Sequence, residues 1–137
     1  LSAMTHSRNK GAAFERDVAN LIRDSLGYEC KRNLMQTAEG GHDLIGIPGW
    51  AIECKRYKEA KRNEMVRFWK QTWEQYLRVN DKPMLVVKED RKPIDVYIQW
   101  DGAGAADFED GSFERVVKVS FDLWVAIVKS SVDTSEN

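Results

Sequence analysis

The sequence predicts an α/β fold in which a central mixed β-sheet is flanked by helices. Amphipathic helix patterns run from Gly11 to Leu26 and from Asn63 to about Val79. Short apolar runs with turn residues between them separate the two helices, and two more apolar runs, Met84 to Lys88 and Ile94 to Gln99, follow the second helix. Helices that alternate with strands pack on the faces of a sheet, and near-continuous apolar strands indicate that both faces are covered.

The first helix carries its apolar residues at three- and four-residue steps, and Gly27 supplies the stop signal. These residues are Phe14, Val18, Leu21, Ile22 and Leu26. Glu15 lies next to this stripe, and its spacing alone is equally consistent with a solvated acid near the helix start. Residues 1–9 are polar, and we expect a flexible N-terminal segment.

The second helix should begin at Asn63, whose side chain can cap its first turn. We expect its buried stripe to consist of Val66, Trp69, Trp73, Tyr76 and Leu77. A stripe rich in tryptophan more often forms a core or a dimer contact than a platform for stacking bases, and we interpret it in that way.

The remaining segments complete one domain over residues 1–137, a length that supports one hydrophobic core. Residues 28–33 should form a strand that precedes a glycine-rich loop. We expect a loop over residues 101–114, a last strand from Arg115 to Val119, and a short helix capped by Ser120. Residues 130–137 are polar and should form a frayed tail.

The charge distribution is uneven although the net charge of the chain is only −1. Residues 1–100 hold 18 basic and 14 acidic residues, a net of +4, whereas residues 101–137 hold 3 and 8, a net of −5. Positive charge is therefore concentrated in the first hundred residues, where it can attract a polyanion.

No apolar run reaches the roughly 20 residues that a membrane helix requires, and we expect no membrane partner. Cys30 and Cys54 lack the spacing of a zinc or redox motif, so we interpret them as reduced core residues. These features favour a cytoplasmic protein.

The stretch from Gly41 to Arg56, GHDLIGIPGWAIECKR, reads as a β-hairpin that turns at Pro48-Gly49. Glu53 and Lys55 share one face of its second strand because side chains alternate along a strand. A three-residue loop of Pro48, Gly49 and Trp50 would place Asp43 opposite Lys55 and bring both carboxylates onto one face, whereas a two-residue loop would separate them. We therefore expect an odd-length loop or a bulge.

Two carboxylates and an amine on one rigid element are suited to metal-dependent phosphodiester hydrolysis. Asp43 and Glu53 would bind Mg²⁺ together with the main-chain carbonyl of Cys54. Lys55 could orient or deprotonate the attacking water, or offset developing charge. The alternative is a surface ion pair between Glu53 and Lys55, but both lie in apolar strands, where an unpaired charge is costly.

The basic run from Lys55 to Arg62 should leave the second strand as a loop. Such runs are usually solvated, but this one follows the strand that carries the acid and the amine, which favours phosphate contacts.

This combination of motifs resembles the PD-(D/E)XK nuclease superfamily, and within it the archaeal-type and phage Holliday junction resolvases. The resemblance rests on GAAFERDVANLIRDSLGY, GHDLIGI, AIECKR, FWKQTWEQ and KPMLVV, which together span roughly residues 10–100 in the order usual for the family. It implies a restriction-endonuclease-like core in the order αβββαβ. The proline that usually precedes the motif aspartate is replaced by His42, which we interpret as a loop residue.

The resemblance also implies roles for single residues. Glu15 corresponds to an acid on the first helix that assists metal binding, Asp43 and Glu53 to the metal-binding carboxylates, and Lys55 to the motif lysine. Gln71 corresponds to the glutamine on the following helix. The expected DNA contacts are Arg8, Lys10, Arg32, Arg56, Lys58, Lys61, Arg62 and Gln71.

The function that we predict is a Mg²⁺-dependent DNA endonuclease selective for branched DNA such as Holliday junctions, with Mn²⁺ able to replace Mg²⁺. The resemblance implies a homodimer that acts in DNA recombination or repair, at the nucleoid or in the cytoplasm of a phage host. The alternatives are a restriction- or repair-type nuclease on duplex or single-stranded ends, a DNA-binding relative without activity, and an interaction partner that docks through its acidic C-terminal portion.

Overall fold

The computed structural model describes residues 3–35, 42–79, 81–106 and 111–136. Within them, one six-stranded sheet has its strands in sequence order, and three α-helices accompany it. The elements are α1 (Ala3–Leu26), β1 (Lys31–Arg32), β2 (Leu44–Ile45), β3 (Trp50–Tyr57), α2 (Arg62–Val79), β4 (Lys82–Glu89), β5 (Asp95–Gln99), β6 (Val116–Ser120) and α3 (Phe121–Glu136), with a short 3₁₀ helix at Phe113–Arg115. The αβββαβ order is confirmed.

The sheet is mixed, as the sequence predicts. Strands β3 and β4 are parallel because α2 forms the crossover between them, and every other neighbouring pair is antiparallel. The pairing of β3 with β4 extends from Trp50 opposite Lys82 to Tyr57 opposite Glu89. This long parallel pair is the rigid element that carries Glu53 and Lys55.

Both faces of the sheet are covered, which confirms the expectation from the apolar strands. Helices α1 and α3 pack on one face through a cluster that includes Val18, Ile22, Ile52, Cys54, Met84, Ile98 and Trp124. Helix α2 covers the other face, where its residues Met65, Phe68 and Trp69 pack against Leu85 and Val87 of β4. Since side chains alternate along β3, Ile52 and Cys54 enter the first cluster while Glu53 and Lys55 project on the side of α2.

Helix α1 begins at Ala3, eight residues before the predicted start at Gly11. Residues 3–10 contain no proline, and one glycine inside a helix costs only about 1 kcal/mol, so Gly11 does not stop the helix. The buried face also differs by one position, because Ala19 is buried whereas Leu21 is 37 % exposed.

The predicted stripe of α2 is confirmed at Trp69, but the buried face is rotated toward Met65 and Phe68. Met65, Phe68, Trp69 and Thr72 are buried, and Val66 is 42 % exposed. The predicted stripe and the observed one both satisfy the helical spacing, so only packing against β4 decides which of them is buried. Trp73 is half-buried, and the side chains of Tyr76 and Leu77 lie outside the described part of the chain. The helix begins at Arg62, one residue before Asn63.

Several boundaries differ from the predictions. Strand β1 has two residues where six were expected, while β3 continues to Tyr57, into the basic run that was expected to leave the strand as a loop. Parallel pairing with β4 accounts for the longer β3. Helix α3 runs to Glu136, through the predicted tail. Ser120 does cap this helix, since its hydroxyl accepts a hydrogen bond from the Leu123 amide at 3.0 Å.

The cysteines occupy the predicted environment. Cys30 and Cys54 are buried free thiols that belong to the cluster beneath α1. Burial raises the pKa of the Cys30 thiol to about 11. No helix within the described ranges is long and apolar enough to cross a membrane.

Candidate active site

The β2–β3 hairpin brings the two predicted ligand carboxylates together, although its register differs from the prediction. Leu44 lies opposite Ile52, so Trp50 belongs to the strand, and Asp43 lies beside Glu53 rather than opposite Lys55. The Asp43 amide donates to the Ile52 carbonyl at 2.9 Å, which breaks the regular ladder at this residue. The shift is two residues, and an even shift keeps Asp43 and Glu53 on the same face.

Asp43 and Glu53 form a buried pair of acids. Each residue is only 7 % exposed, and their side chains hydrogen-bond to each other. Asp43 Oδ2 also accepts a hydrogen bond from the Cys54 amide at 2.7 Å, which fixes the aspartate against β3. Burial, the Asp43 charge and the hydrogen bond to Asp43 together raise the pKa of Glu53 to about 9. In the metal-free protein at neutral pH, Glu53 is therefore protonated.

Lys55 lies on the same face, two residues beyond Glu53. Its amine is 5.3 Å from the centroid of the Phe68 ring on α2, a cation–π distance. Phe68 is buried and also contacts the Tyr57 ring at 5.0 Å. The positive charge of Lys55 opposes the rise in the pKa of Glu53, so the amine lies within electrostatic range of the acid pair.

Glu15 on α1 completes the predicted set. Its charge contributes to raising the pKa of both Glu53 and Cys54, so it lies within electrostatic range of the acid pair. Its carboxylate also accepts a hydrogen bond from Arg32 Nε at 2.8 Å, and both side chains are mostly buried. Arg32, a predicted DNA contact, is thus engaged by a neighbouring acid.

The donor set fits a hard divalent cation. Glu53 Oε1 is buried and has no hydrogen-bond partner among the described residues, and oxygen ligands are those that Mg²⁺ prefers. The Cys54 amide donates its hydrogen bond to Asp43. The N–H and C=O groups of one strand residue point to the same edge of the strand, so the Cys54 carbonyl also faces Asp43. No group of three or more His, Cys, Asp or Glu side chains within the described ranges could hold a metal by itself. Two carboxylates and a carbonyl leave positions for water and phosphate, as is usual for Mg²⁺.

Two other predicted DNA contacts converge on an acid that belongs to no sequence motif. Asp90, just after β4, forms ion pairs with Arg56 at 2.6 Å and with Lys10 at 3.2 Å. Arg56 also donates to the main-chain carbonyls of Tyr57 and Lys88. These contacts tie α1 to the ends of β3 and β4. Asp90 lies in a run of charged residues, where no spacing distinguishes it from its neighbours.

The remaining predicted contacts are more open. Lys58, Lys61 and Arg62 are exposed, and none of them forms an ion pair within the described part of the chain. Gln71 is exposed on α2, and the side chain of Arg8 lies outside the described residues. The loop between β3 and α2 therefore presents unpaired cations beside the strand that carries Glu53 and Lys55.

Sequence reasoning did not assign a role to Phe68, although the residue lies in a quoted motif. The helical pattern places Phe68 outside the predicted stripe of α2, so nothing in the sequence indicates that its ring supports Lys55. His42, which precedes the acid, is half-buried, and its carbonyl accepts a hydrogen bond from the Asn33 side chain at 3.0 Å.

A family model described as phage putative PDDEXK endonuclease matches residues 6–125. A solved structure that the chain resembles is Hjc from Archaeoglobus fulgidus, described as a Holliday junction resolvase from an archaeal hyperthermophile. Sequence identity with Hjc is 16 %, the match covers 84 % of this chain and 87 % of Hjc, and the TM-score is 0.46. No curated protein matches the chain.

The family match includes α1, the β2–β3 hairpin and α2, the elements that carry Glu15, Asp43, Glu53 and Lys55. It confirms the resemblance that the sequence motifs indicated. The chain belongs to the phage PDDEXK endonuclease family and is a nuclease of the PD-(D/E)XK superfamily.

Proposed function

We propose that the protein is a Mg²⁺-dependent DNA endonuclease that cuts branched DNA, with the four-way junction as its preferred substrate. The observation that carries the proposal is the hydrogen-bonded acid pair of Asp43 and Glu53, buried beside Lys55 on one face of the sheet. Two adjacent buried carboxylates cannot both be charged without a compensating partner. The shared proton is that partner in the metal-free protein, and a divalent cation would take its place when bound.

Asp43, Glu53 and the Cys54 carbonyl would hold the ion, with Glu15 close by. When bound, Mg²⁺ supplies positive charge at the phosphoryl oxygens and lowers the pKa of a coordinated water, and Mn²⁺ can supply the same chemistry. To hold the ion, Glu53 would have to lose the proton that burial and the Asp43 charge favour in the metal-free protein. The Cys54 amide keeps Asp43 in place during this change.

Lys55 is the residue best placed to contact the scissile phosphate. Its amine rests over Phe68, which leaves its hydrogens available to a phosphoryl oxygen as negative charge develops there. Lys58, Lys61 and Arg62 would contact neighbouring phosphates and position the strand without reading its sequence. Glu15 orients Arg32 at the other side of the site.

The choice of a branched substrate rests on the sequence resemblance to Holliday junction resolvases. A symmetric homodimer would present two such sites to opposing strands. We place the dimer contact at α3, where Leu123 is 49 % exposed beside a cavity of about 530 Å³ that Trp100 and Ile127 also line. Light scattering of the wild type and of Leu123→Glu tests the dimer, which the substitution should dissociate.

The substrate is tested by cleavage of a four-way junction, a flap and a plain duplex of equal length, each with Mg²⁺, with Mn²⁺ and with EDTA. We expect the junction to be cut fastest with either ion and no cleavage in EDTA. Faster cleavage of the plain duplex or of free ends would support a restriction- or repair-type nuclease instead.

The residue roles are tested with Glu53→Gln and Lys55→Gln. Both should abolish cleavage and leave junction binding nearly unchanged. Their matched controls are Glu59→Gln, in the following loop, and Lys129→Gln, on α3, which remove the same charges from exposed positions. Undiminished cleavage by Glu53→Gln and Lys55→Gln would contradict the mechanism.

A further inference from the structure

A second concave feature lies on the face of the sheet that α2 covers. Six residues line a cleft of about 310 Å³, which we call the Tyr97 cleft: Arg62, Met65, Tyr97, Phe113, Val116 and Lys118. They come from the first turn of α2, from β5 and β6, and from the 3₁₀ helix before β6. Half of them belong to the segment after residue 100, to which the nuclease site assigns no role.

Two aromatic rings form part of the wall of this cleft. The centroids of Tyr97 and Phe113 are 6.2 Å apart, and their planes are tilted by 30°. The Arg62 guanidinium lies 5.5 Å from the centroid of Phe113. Burial raises the pKa of Tyr97, and the nearby acids Asp95 and Glu89 raise it further, so its phenol remains neutral. Neutral aromatic rings next to a guanidinium are the surface on which nucleic-acid bases stack.

Two cations border the rings. Arg62 and Lys118 are both exposed, and neither forms an ion pair with a carboxylate in the part of the chain that the structure describes. Of the two acids near Tyr97, Glu89 is paired with Lys92. The cleft thus combines flat apolar walls with two available positive charges, which together suit a planar base that carries a phosphate.

The position of the cleft relates it to the acid pair. Glu53, Leu85, Tyr97 and Lys118 are successive partners across β3, β4, β5 and β6, so they share one row on the same face. Neighbouring strands are about 4.8 Å apart, which puts the Tyr97 backbone roughly 10 Å from that of Glu53. Arg62 also ends the basic loop that leaves β3, so positive charge continues from the acid pair to the cleft.

We infer that the Tyr97 cleft binds one nucleotide, with the base against Tyr97 and Phe113 and the phosphate between Arg62 and Lys118. The nucleotide belongs to an unpaired strand of the DNA substrate, and this assignment rests on the proposed function. The chemistry of the cleft does not depend on cleavage. A DNA with unpaired nucleotides near its branch point would then gain a contact that a continuous duplex lacks.

Binding of a fluorescent oligothymidylate of eight nucleotides, in EDTA, tests the inference. Arg62→Gln/Lys118→Gln and, separately, Phe113→Leu should each weaken binding about tenfold, the effect expected from one stacked base or a lost pair of phosphate contacts. Phe113 is not fully buried, so Phe113→Leu should fold. Lys31→Gln/Lys129→Gln removes two exposed cations elsewhere, from β1 and α3, and should change the affinity less than about twofold.

Location and source need two more measurements. An oligothymidylate with 5-iodouracil at one position should photocross-link to Tyr97 or Phe113, as mapped by mass spectrometry. Cross-links confined to other residues, or unchanged affinity in both cleft variants, would overturn the inference. Tighter binding of the oligonucleotide than of thymidine monophosphate identifies a strand as the source, whereas equal binding identifies a free nucleotide. Wild-type protein that cuts no DNA yet shows cleft-dependent binding would contradict the nuclease proposal alone.

Discussion

Asp43 and Glu53 reach each other across an antiparallel strand pair whose regular hydrogen bonding stops at Asp43. The Asp43 amide bonds to the Ile52 carbonyl, while its carboxylate takes the Cys54 amide that a longer β2 would have bonded. At this break the Cys54 amide donates to the Asp43 carboxylate instead of to a main-chain carbonyl. The carboxylate is thereby held against Glu53. Local irregularity of the strand is what assembles the acid pair.

The acid pair should make the stability of the metal-free protein depend on pH. The pKa of Glu53 is about 9 in the folded chain and near 4.5 when unfolded, so the folded state binds the extra proton between these values. Its stabilising effect is complete below about pH 4.5 and is lost as the pH rises toward 9. In EDTA, the urea midpoint of the wild type should therefore fall from pH 5 to pH 9 more steeply than that of Glu53→Gln.

Glu59→Gln is the control for this measurement, because Glu59 is exposed in the next loop. Its pH dependence should match that of the wild type. Parallel curves for the wild type and Glu53→Gln would show that Glu53 does not hold a proton in the folded protein.

Divalent cations should stabilise the protein through the same pair. At a concentration one hundred times the dissociation constant, a ligand specific for the folded state adds about 2.7 kcal/mol, or roughly 10 °C in Tm for a domain of this size. We expect Mg²⁺ and Mn²⁺ to raise the Tm of the wild type and of Glu59→Gln, and EDTA to reverse the effect. Asp43→Asn should not respond. An equal rise in Asp43→Asn would place the ion elsewhere.

How much of this site follows from sequence depends on the kind of information required. Alternation of side chains along a strand is enough to place Glu53 and Lys55 on one face. A hairpin loop with an odd number of residues is enough to place Asp43 on the same face as Glu53. Both features are present in the structure. The exact register does not follow, because Pro48 and Gly49 permit loops that differ by two residues with the same parity. The sequence also does not indicate which cations are free to bind DNA. Arg56 and Lys10 both pair with Asp90, which is distant from them in the chain.

The phase of α2 illustrates a different limit. Met65 and Val66 both continue a helical stripe that passes through Trp69, and only the shape of the sheet surface decides which is buried. The predicted phase left Phe68 out of the core, so the contact of Phe68 with Lys55 could not be foreseen. Local propensity identified the helix, but tertiary packing determined its rotation.

Phe68 should act as a positioning residue for Lys55. A cation–π contact contributes about 0.5–2 kcal/mol, so Phe68→Leu should lower the kcat for cleavage about tenfold while KM changes little. Ile98→Val, in the core of the opposite face, should lose a similar stability of about 1 kcal/mol without this loss of rate. Equal kcat values in the two variants, at a temperature where both are folded, would show that the ring does not orient the amine.

Arg56 and Lys58 should behave in opposite ways although both belong to the basic run. Arg56 bonds to two carbonyls and to Asp90, so Arg56→Gln should cost about 1.5–3 kcal/mol of unfolding free energy. Lys58→Gln, at an exposed position, should stay within about 0.5 kcal/mol. Urea denaturation measures these costs. In DNA-binding titrations, Lys58→Gln should reduce the salt dependence of binding, and a larger reduction in Arg56→Gln would make Arg56 the main phosphate contact instead.

Gly46 and Gly49 offer a matched test of what holds β1 and β2 in place. Both have positive φ, 97° and 83°, which an alanine tolerates at a cost of about 1–2 kcal/mol. They differ in space: a Cβ on Gly46 would lie 2.3 Å from the Glu29 carbonyl oxygen, whereas a Cβ on Gly49 meets nothing within 4 Å. Gly49→Ala should therefore show only the backbone cost. Gly46→Ala must also push the chain before β1 away from β2, and we expect it to lose about 3 kcal/mol more, the upper end of the usual cost of overpacking.

The same displacement should reach the acid pair, because Asp43 immediately precedes β2 and Arg32 on β1 holds Glu15. Gly46→Ala should thus lose the Mg²⁺-dependent rise in Tm that Gly49→Ala retains. Circular dichroism with urea and thermal melts with and without Mg²⁺ provide both values. If Gly46→Ala is as stable as Gly49→Ala and keeps its response to Mg²⁺, close packing of β1 on β2 is not what positions Asp43, and the hairpin alone suffices.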